Sequence, residues 1–229
     1  MRSARLFDAI IVDLDGTVVD CAARHYACYV DVSKRLGIAC LDANTYWTMK
    51  RRRVPWSKIA SEAGVKADSE RLEHEFVASI EDPAYLKLDT VYSGASSALA
   101  SLRQITSVVI LTTMRRQAIR LERQLADLGI ATLFDRVSCR GTSDVVSKAV
   151  IARDALPAGA GTLAWIGDTE EDVTGARALG ATAWAVHGGM RDREYLERCK
   201  PDLLCENLPA LVRQIEQSKS DRIRSSTQR

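Results

Sequence analysis

The chain carries, at residues 9–17, the segment Ala9-Ile10-Ile11-Val12-Asp13-Leu14-Asp15-Gly16-Thr17. Residues 9–12 form a short apolar, β-branched run, which is typical of a buried parallel strand. Asp13 and Asp15 follow where this strand ends, and residues two apart in an extended chain project to the same side. Gly16 then permits a sharp turn because it has no Cβ. The segment therefore predicts a strand whose carboxyl end presents two carboxylates to one ligand.

Three similar apolar runs occur later in the chain, and helical patterns separate them. The runs are residues 107–111, 162–166 and 181–186, and the helical patterns are residues 115–128, 147–156 and 172–179. Strands that alternate with helices predict a parallel sheet with helices packed on it, which is an α/β fold.

The segment 21–88 interrupts this alternation, because it has helical periodicity and no convincing strand. Asp82 and Pro83 indicate a turn near its end, before a linker that returns to the sheet. We therefore predict a core domain of residues 1–20 and 89–217, with a small α-helical cap domain of residues 21–88. The polar residues 218–229 are predicted to form a disordered tail.

Composition excludes several classes of partner. The 229 residues contain 32 Lys and Arg against 30 Asp and Glu, a formal net charge of +2. This balance gives no overall preference for nucleic acid or for an anionic membrane, so neither partner is expected. The length favours one core domain with an insertion, present as a monomer or a homodimer.

The six cysteines and the N-terminus predict a cytoplasmic protein. The cysteines are scattered without a C-x-x-C pair, and a chain of this length does not need disulfides to fold. The N-terminus has no signal-peptide layout, and no apolar stretch approaches the length of a membrane span.

A second acidic segment follows another strand end, where open α/β sheets bind ligands. Residues 167–172 read Gly-Asp-Thr-Glu-Glu-Asp, so Asp168 and Asp172 can join the carboxylates of the first segment. Several acids around a phosphate would repel it unless a hard cation were bound, and Mg²⁺ fits carboxylate and carbonyl oxygens. Alternatively, Asp168 caps the following helix, which is a common use of Asp.

Two further positions complete a phosphate-binding set. Thr112 ends the second apolar run and can donate a hydroxyl to a phosphate oxygen. Lys148, at the start of a helical pattern, can supply a positive charge. Each residue alone is more often structural than catalytic, so their value depends on the whole set.

Taken in order, these residues resemble the four signature motifs of the haloacid dehalogenase (HAD) superfamily. The matching segments are residues 12–17, 110–112, Lys148 and 166–172. The resemblance implies a Rossmann-like parallel sheet core and a helical cap. It also implies that Asp13 attacks phosphorus to form an aspartyl phosphate, while Asp15 protonates the leaving alkoxide and then deprotonates water.

The same resemblance implies the remaining roles. Thr112 and Lys148 would hold and neutralise the phosphoryl group. The Mg²⁺ ligands would be Asp13, the backbone carbonyl of Asp15, and Asp168. Asp172 would act on the metal directly or through water, or would steady Lys148.

The position of the insert, between the first and second motifs, resembles that of phosphoglycolate phosphatase-like members. One departure is that no Pro follows Lys148. The implied function is a Mg²⁺-dependent phosphomonoesterase. Its partner would be a small soluble phosphate ester, either phosphoglycolate-like or a sugar phosphate, because a cap excludes large substrates.

Substrate contacts are predicted for Arg24, Thr113 and Arg115, which lie just after the first and second motifs. The cap also carries a basic cluster, residues 50–53, Lys-Arg-Arg-Arg, and part of it is predicted to meet a second anionic group of the substrate. Consecutive residues fan out around a helix, so only one or two of the four can face the site.

Rival functions share some of these residues. A dehalogenase needs neither a proton donor nor Mg²⁺, so Asp15 and Asp168 argue against it. A phosphonatase would need a cap lysine, and nothing in the sequence distinguishes Lys34, Lys50 or Lys58. A sugar phosphomutase and a catalytically silent phosphate-binding module remain alternatives, whereas a phosphorylation-dependent signalling module would have no use for a cap.

Overall fold

The computed structural model describes residues 5–64, 69–141 and 147–227, with side chains as far as residue 219. Within these ranges the strands are β1 Ala9–Asp13, β2 Val19–Asp20, β3 Thr90–Val91, β4 Val109–Thr113, β5 Arg136–Cys139, β6 Leu163–Gly167, β7 Thr182–Val186 and β8 Leu203–Cys205. The helices are α1 Ala22–Arg35, α2 Ala43–Arg51, α3 Trp56–Glu62, α4 Ser69–Ser79, α5 Pro83–Leu86, α6 Ala95–Leu102, α7 Ala118–Asp127, α8 Lys148–Asp154, α9 Glu170–Ala178, α10 Arg193–Cys199 and α11 Leu208–Thr227.

A parallel sheet forms the core, with six strands among the described residues in the order β5-β4-β1-β6-β7-β8. The α/β fold and the four predicted strands are confirmed. The edge strands β5 and β8 were not predicted, because each is short and only partly buried and so lacks an apolar run. After β1 the strands β4 and β5 are added on one side of it, and β6, β7 and β8 are added on the other. Parallel sheets bind ligands at such a switch point in strand order.

The side chains of β1 alternate between two hydrophobic layers. Ile10 and Val12 pack on the side of α6, α7 and α11, whereas Ala9 and Ile11 pack on the side of α8 and α9. Burial on both faces explains why this strand reads as a continuous apolar run. It also fixes the point at which the chain becomes polar, at Asp13.

Helices α1 to α5 follow β2 and precede β3, within the predicted cap segment. They share an apolar cluster of their own, in which the rings of Tyr29 and Tyr46 stack with centroids 4.3 Å apart. Asp42 begins α2 by accepting hydrogen bonds from the amides of Asn44 and Thr45. The predicted turn at Asp82 is the start of α5.

The C-terminal segment differs from the expected disordered tail. Helix α11 continues to Thr227, and only residues 228–229 of that predicted tail lie outside the described backbone. Leu211, Val212 and Ile215 anchor the helix against the core. Because residues 210–227 contain no Gly or Pro, nothing ends the helix once it has begun.

Candidate active site

The carboxyl end of β1 brings Asp13 against Lys148, which begins α8. Lys148 Nζ lies 2.7 Å from Asp13 Oδ1 and 2.7 Å from Asp172 Oδ1. All three side chains are buried. Burial raises the pKa of Asp13 well above its ordinary value, although the Lys148 ammonium opposes this shift. The structure thus places three of the predicted residues in one charged cluster inside the protein.

Asp168 is fully buried beside this cluster, in the turn after β6. Its carboxylate accepts hydrogen bonds from the Met190 amide and, at 3.4 Å, from the Thr17 hydroxyl. Burial, and then the Asp172 carboxylate, raise the pKa of Asp168 to about 7. Asp168 forms no ion pair with the residues that the structure describes, and a buried acid of this kind is a natural ligand for a bound cation.

Close backbone approach shapes the pocket around Asp168. Gly16 has a φ of +82°, and a Cβ on it would lie 1.9 Å from Asp168 Oδ2. A Cβ on Gly189 would lie 2.2 Å from the same oxygen and 2.2 Å from the Gly16 carbonyl oxygen. Only glycine fits at these two positions, because any side chain would displace the carboxylate.

A divalent metal fits the donor set. One carboxylate oxygen from each of Asp13, Asp168 and Asp172 lies within 4.8 Å of the other two. These are hard oxygen donors, which Mg²⁺ prefers. Burial is the main cause of the raised pKa of both Asp13 and Asp168, and a bound cation would relieve the cost of burying their charges.

Asp172 is occupied by protein contacts on both of its oxygens. Besides Lys148, Oδ1 accepts from Trp165 Nε1 at 3.1 Å, and Oδ2 accepts from the Thr169 amide and hydroxyl at 3.1 and 2.6 Å. Thr169 and Asp172 thereby cap α9, so the expected alternative of a cap made by Asp168 is wrong. Of the roles predicted for Asp172, this geometry favours the steadying of Lys148.

Asp15 lies between two buried arginines. Arg115 donates from Nε and Nη2 to the two carboxylate oxygens of Asp15, at 2.9 and 2.8 Å, and Arg24 Nη2 lies 2.7 Å from Oδ1. Burial alone would raise the pKa of Asp15, but the guanidinium charges of Arg115 and Arg24 lower it below its ordinary value. In this arrangement Asp15 is held as a carboxylate.

Both arginines also reach Asp89, a buried residue that sequence reasoning missed. Arg24 Nε lies 3.0 Å from Asp89 Oδ1, and Arg115 Nη2 lies 3.4 Å from Oδ2. Gln124 Nε2 donates to the same Oδ2 at 2.6 Å. Asp89 stands in the linker that returns from the cap, and no motif or periodicity distinguishes it there.

Thr112 and Thr113 end β4 next to Asp13. Thr112 pairs with Asp13 in the sheet register, and its buried hydroxyl has no hydrogen-bond partner among the described residues. The side chain of Thr113 lines the cavity above the sheet. An unpartnered hydroxyl at this position can donate to a bound oxyanion.

A cavity of about 290 Å³ opens above these residues, between the core and the cap. Its floor includes Asp13, Asp15 and Lys148, and its roof includes the cap residues His25 and Phe76. This volume lies at the small end of ligand-binding pockets, which are typically ~300–1,000 Å³. Only a compact ligand can be enclosed.

The four residues of the basic cluster separate in the structure. Lys50 and Arg53 line the cavity. Arg51 Nη2 donates to the His187 carbonyl, and Arg52 Nε lies 3.4 Å from Asp192 Oδ2. Two members therefore face the site, and the other two hold the end of α2 on the core.

Glu81, a buried cap residue that the sequence did not distinguish, also lines the cavity. The Glu81 carboxylate accepts from the backbone amides of Arg116 and Gln117, at 3.0 to 3.3 Å, just before α7 begins. An acid at the N-terminus of a helix is stabilised by the exposed amides and by the helix dipole. This contact could not be predicted from the sequence, because Glu81 lies in the cap and its partner amides belong to the core.

Comparison with known proteins agrees with this arrangement. Residues 7–180 match the family profile described as haloacid dehalogenase-like hydrolase. The chain belongs to this family. The predicted family resemblance and the expectation of a HAD-type enzyme are therefore confirmed.

Relatives of this HAD protein include named phosphatases. It is 30% identical over 220 residues to the phosphoglycolate phosphatase of Synechococcus elongatus, covering 91% of this chain and 97% of the relative. It is 24% identical over 220 residues to the pyrophosphatase PpaX of Bacillus cereus strain G9842, covering 90% and 94%.

Solved structures share the HAD fold. A haloacid dehalogenase-like hydrolase from Streptococcus pneumoniae superposes with a TM-score of 0.74 at 21% identity, covering 91% of this chain and 98% of that one. A magnesium-bound HAD-hydrolase from Bacillus subtilis superposes with a TM-score of 0.62 at 15% identity, covering 93% and 100%. In the part of the HAD chain that is described, no helix combines the length and apolar character needed to cross a membrane.

Proposed function

We propose that the protein is a Mg²⁺-dependent phosphomonoesterase that hydrolyses a small phosphorylated metabolite through an aspartyl phosphate on Asp13. The observation that carries this proposal is the contact of Lys148 Nζ with both Asp13 and Asp172, beside the buried Asp168. A lysine and several carboxylates enclosed together can bind a phosphoryl group and a cation, whereas neither alone would balance the buried charge.

The chain's own residues divide the work of the reaction. Asp13 attacks phosphorus, and the Lys148 ammonium offsets negative charge on the phosphoryl oxygens. The Thr112 hydroxyl, which has no partner among the described residues, donates to one of these oxygens. The Asp15 carboxylate takes up the proton that a monoanionic phosphate ester brings and gives it to the leaving alkoxide. It then takes one proton from the attacking water and returns it to the phosphate product, while Arg24 and Arg115 orient its carboxylate.

Asp13, Asp168 and the backbone carbonyl of Asp15 are the proposed ligands of Mg²⁺. The metal, when bound, supplies positive charge that keeps the buried carboxylates ionised and offsets charge on the phosphoryl group. Asp172 is proposed to hold Lys148 rather than the metal, because its two oxygens accept four hydrogen bonds, from Lys148, Trp165 and Thr169, which use the lone pairs of the carboxylate.

The volume of the cavity supports a small substrate. A volume of about 290 Å³ under the cap has room for a metabolite and none for a polymer or a folded phosphoprotein. The names of the relatives point to phosphoglycolate or pyrophosphate as classes of substrate to test. We place the enzyme in the cytoplasm, since the six cysteines are free thiols.

Phosphate release from a panel of small phosphate esters, with and without Mg²⁺, tests this proposal. We expect Mg²⁺-dependent release that falls by at least about 10³-fold in Asp13→Asn, since the nucleophile is lost. Asp127→Asn is the matched control, because Asp127 is exposed on α7. Release that is unchanged in Asp13→Asn would refute the mechanism, and absence of release from every ester would favour a phosphomutase or a silent binding module.

A further inference from the structure

Among the described residues, six Lys and Arg side chains line the cavity, and five of them have carboxylate partners. Lys148 pairs with Asp13 and Asp172, Arg24 and Arg115 pair with Asp15 and Asp89, and Arg53 and Arg191 pair with Glu170. The sixth is Lys50, which forms no ion pair within the described part of the chain. Of these six side chains, Lys50 is therefore the one without an acidic partner among the residues that the structure describes.

The position of Lys50 is fixed at both ends of the residue. Its backbone lies at the end of α2, where the Arg191 guanidinium approaches the Lys50 carbonyl at 3.5 Å and the Asp192 amide donates to the Arg51 carbonyl at 3.2 Å. Its ammonium lies over the rings of Trp56 and Phe76, 4.9 and 5.0 Å from their centroids. A cation held on aromatic faces is stabilised while its hydrogen-bond donors stay available.

The surroundings make an unpaired ammonium costly. Burial, and then the neighbouring charge of Arg191, lower the pKa of Lys50 to about 8. Partly buried charges are normally paired. An anion that entered the cavity beside Lys50 would form the ion pair that the ammonium lacks with the described residues. The phosphoryl group itself is directed to the floor, where Lys148 and Asp13 lie.

We propose that Lys50 binds a second anionic group of the substrate, so that the enzyme selects small phosphate esters that also carry a carboxylate or a second phosphate. This inference rests on the proposed function and narrows its substrate class. Neutral sugar phosphates lack a group that could pair with Lys50. Of the two cluster members that face the cavity, Arg53 already pairs with Glu170 at 2.7 Å. Lys50 is therefore the member that we expect to distinguish charged from neutral substrates.

Two esters of nearly equal size test the proposal. The compounds are 2-phosphoglycolate, which carries a carboxylate, and 2-hydroxyethyl phosphate, which carries a hydroxymethyl group at the same position. With Mg²⁺ present, we expect Lys50→Met to lower kcat/KM for 2-phosphoglycolate by about 10- to 100-fold, the range for a lost hydrogen bond to a charged group. We expect 2-hydroxyethyl phosphate to change by less than about twofold, since its hydroxymethyl group carries no charge to lose.

Two variants provide controls. Lys50→Arg keeps a cation and should retain a preference for 2-phosphoglycolate, whereas an imine-forming lysine would not be replaced by arginine. Lys58→Met, on the exposed side of α3, should leave both esters unchanged. Equal kcat/KM values for the two esters in the wild type, or an equal loss for both in Lys50→Met, would overturn the proposal.

Calorimetry separates this inference from the reaction itself. Binding of the two esters to Asp13→Asn protein, with and without Lys50→Met, reports the contact in the absence of turnover. A preference for 2-phosphoglycolate that depends on Lys50, with no phosphate release by the wild type, would support the anion contact and refute the reaction. Phosphate release from both esters without any dependence on Lys50 would support the reaction and refute the contact.

Discussion

Arg24 Nη2 lies 2.7 Å from Oδ1 of Asp15, so the first helix of the cap directly contacts the carboxylate proposed as acid and base. Arg24 is buried, and its Nε lies 3.0 Å from Asp89, which also approaches Arg115. The two arginines and two acids form a closed group between core and cap. Its geometry depends on both parts of the chain.

Replacement of Asp89 by Asn should therefore disturb stability and activity together. Two guanidinium groups would then share Asp15 alone, and loss of one partner from a buried charge group typically costs about 3 kcal/mol. Urea unfolding measures this cost. We expect kcat to fall more than KM rises, since Asp89 positions the residues around Asp15 and does not line the cavity. Asp127→Asn, at an exposed ion pair, should change stability by less than ~0.5 kcal/mol, and an equally small effect of Asp89→Asn would contradict the prediction.

Gly189→Ala should weaken Mg²⁺ binding. The new Cβ would lie 2.2 Å from both Asp168 Oδ2 and the Gly16 carbonyl oxygen, so the carboxylate must move. Shifting a ligand in this way typically costs about 10- to 100-fold in metal affinity, which Mg²⁺ titration calorimetry can measure. Gly161→Ala is the matched control, because its Cβ would meet nothing nearer than 4.0 Å. Wild-type affinity in Gly189→Ala would show that Asp168 is not held as described.

Stability at acid pH should depend on His25. Burial, and then the charge of Arg24, hold the pKa of His25 well below its ordinary value of 6.5, and its ring packs against Trp47 and Phe76. Below a pH of ~6.5, His25 therefore binds a proton in the unfolded chain but not in the folded chain. The contribution of His25 is complete above a pH of ~6.5 and is lost as the pH falls toward the folded pKa, by up to about 1.4 kcal/mol per pH unit.

The measurement is the free energy of unfolding between pH 7 and 5 for the wild type and for His25→Phe. The variant should lose less stability over this range, because the buried imidazole is gone. His74→Phe, which alters an exposed ring, should keep the wild-type slope. Identical slopes for wild type and His25→Phe would show that the buried imidazole does not contribute.

Sequence predicted the floor of the site because it depends on one sheet. Asp13, Thr112 and Asp168 each follow a buried strand, and the carboxyl ends of parallel strands meet at one edge. Lys148 and Asp172 could be added because they begin the helices that follow. The edge strands were missed because they are short and half-exposed. The end of the last helix was missed because residues 216–227 are almost wholly polar and carry no apolar period.

The sequence by itself determined the α/β core, the carboxylate positions at its strand ends and the presence of a basic cluster in the helical insert. Tertiary structure decided which members of that cluster face the cavity. Lys50 and Arg53 line it, whereas Arg51 donates to the carbonyl of His187, 136 residues away in the sequence. It also decided the partners of Asp89 and Glu81. Those contacts form when the cap helices pack on the core. Local periodicity predicts which face of a helix is buried, but it does not predict which distant backbone groups a side chain will contact.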